Sequence, residues 1–137
     1  MTVYLDTSSL VKLYVEEPDS SDVQALVGQA EVVVTSVLAY PEARATFARR
    51  RRERLMTAAE TKAAIRQLDA DWPRLVAIVC DDGLAREAGR LADKHAVRGA
   101  DAVHLASFEA LLAQCDDEDV RFSCADARLT RAARALG

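Results

Sequence analysis

Cysteine, histidine, glycine, proline and aromatic residues are all scarce in this 137-residue chain, and each scarcity excludes something. The three cysteines, Cys80, Cys115 and Cys124, are odd in number and form no C-x-x-C pair. That excludes a disulfide framework and a cysteine zinc site, and points to reduced thiols in a cytosolic protein. Five glycines and three prolines leave no linker, and no repeat or low-complexity stretch interrupts the chain, so residues 1–137 read as one domain. The longest apolar run, residues 75–80, falls far short of the ~18 residues of a membrane span. The N-terminus lacks the basic and apolar segments of a secretory signal. The few aromatic side chains sit mostly at core-facing spacing and make no stacking platform for a dedicated single-strand binder. What remains is 50% hydrophobic and 29% charged, enough apolar surface at this length for a genuine core.

Charge is unevenly spread. The net charge of −4 argues by itself against a nucleic-acid partner. Residues 42–66, however, hold eight basic side chains (Arg44, Arg49, Arg50, Arg51, Arg52, Arg54, Lys62, Arg66) against three acidic ones, a local +5 in a chain that is otherwise −9. Such a segment reads as a solvated helix face, a patch for an acidic partner, or a track for a phosphate backbone. Arg49 lies seven residues beyond Glu42, two helical turns or roughly 10 Å along one face. Arg128, Arg131 and Arg134 recur at every third position and allow the same readings.

The hydrophobic pattern alternates between strand and helix. Val3 to Leu5 is a short apolar run closed by Asp6, after which Ser8 and Ser9 cap a helix through Leu10, Leu13 and Tyr14. A second helix starts at Pro18, and residues 31–35 are the strongest strand signal. Ser36 then caps a long helix to about Arg54, which Pro41 bends or delays at the loss of one backbone bond. Thr57 and Glu60 form a capping box for a helix to about Asp71. Residues 75–79 read as a buried strand, Asp82 opens a helix, residues 99–113 form another, residues 120–125 are a strand, and Asp126 caps a last helix to Leu136. This order predicts an α/β fold, a mainly parallel sheet with helices on both faces.

In such sheets the working site lies at the carboxyl ends of the strands. Asp6 ends the first strand and Asp126 the last, Glu42 stands early in the helix after residues 31–35, and Asp101 falls in the first turn of its helix. Asp101, Asp126 and Glu42 alone each also read as a helix cap or a surface residue, whereas Asp6, an acid ending an apolar first strand before Thr7 and Ser8, reads as a site residue. Together they converge on one end of the sheet, where clustered carboxylates repel unless a cation joins them. Oxygen ligands without supporting histidine or cysteine select Mg²⁺ or Mn²⁺. Such an ion can supply an attacking water and neutralise a phosphodiester. His104 shares a helix face with Asp101 and reads as a packed or hydrogen-bonded histidine rather than a general base.

The segments YLDTSSLVKLY at 4–14, Glu42 after a β-branched strand, RGADAVHLA at 98–106 and CADARL at 124–129 occur in the order of the PIN-domain nucleases. The chain most resembles the VapC toxins of bacterial toxin–antitoxin pairs. The resemblance implies a three-layer α/β/α domain with a sheet of four to five strands and a metal-dependent endoribonuclease that cuts single-stranded or looped RNA. It assigns Asp6, Glu42, Asp101 and Asp126 as catalytic metal ligands for Mg²⁺, with Mn²⁺ possible, and Thr7 or Ser8 as the supporting hydroxyl. The basic runs themselves make Arg49, Arg50, Arg52 and Arg128 the RNA-contact candidates, and the resemblance implies a cognate antitoxin, a homodimer and a cytoplasmic location. Cys124 departs from the family's usual Thr or Ser, which puts the polar support there in question. The end at Gly137 leaves the family's short final strand missing or reduced. Two alternatives are a catalytically lapsed scaffold of the same fold and a receiver-like phospho-signalling module. The acidic run 116–119 reads as a solvated loop.

Overall fold

A computed structural model describes residues 1–116 and 119–136; residues 117 and 118 of the acidic run, and the terminal glycine, lie outside them. Four strands are present among these residues: β1 (Thr2–Leu5), β2 (Val32–Ser36), β3 (Val76–Ile78) and β4 (Val120–Ser123). They lie in the order β3-β2-β1-β4, and every pairing is parallel, with Tyr4 opposite Val34 on one side and Phe122 on the other. Seven helices connect and cover them: α1 (Thr7–Val11), α2 (Ser20–Gln29), α3 (Ala39–Arg52), α4 (Ala58–Asp71), α5 (Asp82–His95), α6 (Gly99–Gln114) and α7 (Ala127–Leu136). The fold is a three-layer α/β/α sandwich.

Strand alternation divides the core in two. On β1, Val3 and Leu5 point into one cluster with Leu10 of α1, Phe47 of α3 and Leu68 of α4. Tyr4 points into the other, with Leu91 of α5, Leu105 of α6 and Leu129 of α7. Because β1 is central and covered on both faces, all four of its residues are buried, as continuous rather than alternating hydrophobicity requires. The helices after β1 leave on one face and α7 after β4 leaves on the other, so a crevice opens between the carboxyl ends of these neighbouring strands.

Three expectations shift on contact with the fold. The strand read at residues 75–79 is the three-residue β3, an outer strand rather than a buried one: Val76 is half exposed and Val79, just beyond its end, 66% exposed, because β3 is the edge beyond β2. A run of apolar residues does not reveal how many neighbours its strand has. The long helix begins at Ala39 rather than directly after Ser36, whose hydroxyl sits in β2 and accepts the Leu38 amide at 3.1 Å. Pro41 is then the third helical residue, where the missing N–H would have no intrahelical acceptor, so it costs no bond. The first helix closes at Val11 instead of running to Tyr14, its end tightened by bonds from Lys12 to Ser9 and Leu13 to Leu10. The Thr57–Glu60 box is present in both directions, at 3.1 and 2.8 Å.

Candidate active site

Asp6 follows β1 directly and is 5% exposed. It is the N-cap of α1: one carboxylate oxygen accepts the Ser9 amide at 2.9 Å and the Ser8 hydroxyl at 2.7 Å. The other oxygen accepts the Cys124 thiol at 2.9 Å. Burial first, and then the Asp6 charge and the hydrogen bond to it, push that thiol up to about 12, so it stays protonated and donates. Cys124 therefore supplies the polar support that a Thr or Ser would. Further bonds join the two loops: the Ala125 amide donates to Ser8 Oγ at 3.1 Å, the Asp126 amide to Cys124 Sγ at 3.2 Å, and the Ser9 and Ser123 hydroxyls lie 2.8 Å apart. Asp126 in turn caps α7 through Arg128 N at 2.8 Å.

Glu42 arrives from the first turn of α3, half-buried. Its Oε1 accepts the Thr7 hydroxyl at 2.5 Å and lies 3.2 Å from His104 Nε2. Burial alone would raise this carboxyl, but the hydrogen bonds from His104 and Thr7 outweigh it and hold Glu42 below the ordinary glutamate range. Thr7 thus serves Glu42 while Ser8 serves Asp6.

Asp101 and Asp126 line a cleft of about 380 Å³ together with Arg98 and Arg128. Asp101 is raised above the ordinary aspartate value, by partial burial first and then by the charge of Asp6, with a smaller push from Asp126; His104 and Arg98 act the other way. The three aspartates form one electrostatic group, and His104 links Asp101 on its own helix to Glu42 across the sheet end. All four sequence-selected acids are drawn to this end of the sheet. Among the described residues, none is paired with a Lys or Arg side chain, and no three His, Cys, Asp or Glu side chains close into a ready-made cage for a metal.

The sequence matches the PIN domain family over residues 3–134. The chain is a PIN domain. Two curated relatives, Ribonuclease VapC45 and Ribonuclease VapC49 of Mycobacterium tuberculosis, are each 38% identical to it over 135 residues, covering 98% of this chain and 91% of theirs. The crystal structure of FitAcB from Neisseria gonorrhoeae superposes with a TM-score of 0.71 over 96% of this chain and 93% of that one, and at 18% identity it shows the shared fold. Family membership sets aside the receiver-like alternative.

Around this PIN-domain site the arginines divide. Arg128 stands at the rim of the acidic cleft. Arg49 and Arg52 are exposed on the last turn of α3, whereas Arg50 folds back onto Glu17 at 3.0 Å and shares that carboxylate with Lys12. Arg50 therefore braces the α1–α2 loop and is not free in the way Arg49 and Arg52 are. The donor set suits a hard divalent cation: carboxylates only, none paired with a Lys or Arg side chain among the described residues, one of them raised by partial burial and by its acidic neighbours. Asp6, Asp101 and Asp126, with Glu42 alongside, are the residues that would hold it. Sequence reasoning missed Tyr4, Ser9 and Ser123. The only available signal was the placement of Tyr4 on the α6-facing side of β1.

Proposed function

We propose that this PIN domain is a metal-dependent endoribonuclease that hydrolyses single-stranded or looped RNA and acts as the toxin of a toxin–antitoxin pair. The observation that carries the reading is the convergence of Asp6, Asp101 and Asp126 on the β1/β4 crevice, where partial burial first, and then the charges of Asp6 and Asp126, raise Asp101. The ribonuclease names of the two relatives support it. Bound at these carboxylates, Mg²⁺ or Mn²⁺ would lower the pKa of a water and offset charge on the phosphate oxygens. The chain's own residues do the rest. Ser8, Ser9 and Cys124 fix both oxygens of Asp6, so this carboxylate cannot turn away from its neighbours. Arg128 at the cleft rim and Arg49 and Arg52 on α3 offer phosphate contacts that carry no sequence information.

The same reading gives the protein a cognate antitoxin, a homodimeric state and a cytoplasmic place of work. No helix among the described residues is long and apolar enough to cross a membrane. Asp6→Ala and Asp101→Ala test the proposal: both should abolish RNA cleavage with Mg²⁺ and relieve growth inhibition on expression, with circular dichroism unchanged. Undiminished cleavage by both purified variants would overturn it. A catalytically lapsed scaffold predicts no cleavage by the wild type either.

A further inference from the structure

His104 is 1% exposed, and both of its ring nitrogens are engaged by side chains. Nδ1 lies 2.8 Å from the Tyr4 hydroxyl, and Nε2 lies 3.2 Å from Glu42 Oε1 and 3.0 Å from Thr7 Oγ1. An ionised carboxylate only accepts, so the proton belongs on Nε2, and in the neutral ring Nδ1 accepts the Tyr4 O–H. The Thr7 hydroxyl spends its one proton on the same Oε1, which leaves its oxygen facing the Nε2–H. Two donors therefore meet on Oε1, and Oε2 has no protein donor among the described residues. Tyr4 is itself held, fully buried and stacked on Phe122 with ring centroids 5.5 Å apart.

His104 is threaded between a rigid tyrosine and a carboxylate at the site. We propose that His104 is a positioning residue: with its ring held at Nδ1 by Tyr4 and its Nε2–H aimed at the carboxylate, it and Thr7 clamp Oε1 of Glu42 and leave Oε2 as the oxygen open to a divalent cation. Outer partners of this kind fix the orientation of a ligand without touching the ion. The inference rests on the reading of Glu42 as part of the metal-dependent site.

The test uses two polar replacements of the histidine. His104→Gln places an amide N–H where Nε2–H stood; His104→Asn reaches only the Nδ1 side. Calorimetric titration with Mn²⁺ should show affinity ~10–100-fold weaker in H104N and largely recovered in H104Q. In a Glu42→Gln background, H104N should cost less than about two-fold more, because its effect runs through Glu42. A readout free of metal is the Glu42 carboxyl carbon resonance of the apoprotein, which should move in H104N and hold in H104Q. Equal losses of Mn²⁺ affinity with and without Glu42, or an unmoved Glu42 resonance in H104N, overturn the proposal. If the wild type binds no Mn²⁺ while the Glu42 resonance still moves in H104N, the nuclease reading fails and the clamp stands. Intact metal binding with an unmoved resonance is the reverse result.

Discussion

At the scale of single residues, the four acids were legible because each closes a strand or opens a helix, positions that the alternating pattern locates to within a residue or two. Their partners were not. Tyr4 and His104 are 100 residues apart, and Thr7 and Glu42 are 35 apart; only the packed sheet brings them within hydrogen-bond range. Cys124 stands out in the sequence as a departure, yet its role as a donor follows from burial against Asp6, which no local pattern contains. Asp101 is disfavoured as an anion by partial burial first and by its acidic neighbours second. Its folded-state value is raised, so the ionised form is disfavoured on folding and the penalty is present at neutral pH. Below the ordinary aspartate value the group is protonated in both states and the penalty disappears. Asp101→Asn should therefore raise the melting temperature of the metal-free protein at pH 7–8 while abolishing cleavage, and the gain should fade as the pH falls below about 4. Solvent screening of a half-buried carboxyl keeps the gain small, on the order of 1–3 °C. A variant that melts lower than wild type at pH 7.5, or a gain that persists at pH 3, would contradict this account.

Among the elements, α3 shows what pattern reading resolves and what it misses. Its existence and the capping box that starts α4 follow from local chemistry, whereas the bounds read from Ser36 to about Arg54 contract to Ala39–Arg52. The course of its arginines did not, since the pairing of Arg50 with Glu17 spans 33 residues and joins α3 to the α1–α2 loop. The same limit explains β3, whose apolar run was read correctly as a strand but whose edge position depends on the order of the sheet. The helix carries Glu42 at one end and exposed arginines at the other, and these should separate experimentally. Arg49→Ala and Arg52→Ala should each weaken RNA binding, lower the salt slope by roughly one and leave the melting temperature alone. Arg50→Ala should instead lower the melting temperature, because it removes one cation from a half-buried carboxylate already shared with Lys12. Filter binding across a salt series, paired with thermal melts, distinguishes the two behaviours; identical effects of all three substitutions would dissolve the division.

Seen as a whole molecule, the net charge of −4 averages two opposite regions, a basic helix end and an acidic crevice. The crevice concentrates negative charge where the parallel sheet reverses its winding, and the fold holds it there with amide, hydroxyl and thiol donors instead of lysine or arginine. Donors of that kind orient carboxylates without neutralising them, so the crevice keeps negative charge that a bound divalent cation would offset, as the proposed function requires. Binding to the folded state alone stabilises it by mass action, about 2.7 kcal/mol at a concentration 100 times the dissociation constant. For a domain of this size that corresponds to a rise in melting temperature on the order of 10 °C. Mn²⁺ should produce such a rise in the wild type at pH 7.5, growing with the logarithm of concentration, while NaCl at matched ionic strength should not. Asp6→Ala should lose the shift, because the side chain common to both loops is gone. Asp101→Asn should lose most of it as well, even though it starts from a higher melting temperature without metal. A wild-type melt that ignores Mn²⁺, or an Asp6→Ala protein that responds as strongly, would mean that the acidic crevice serves something other than a cation.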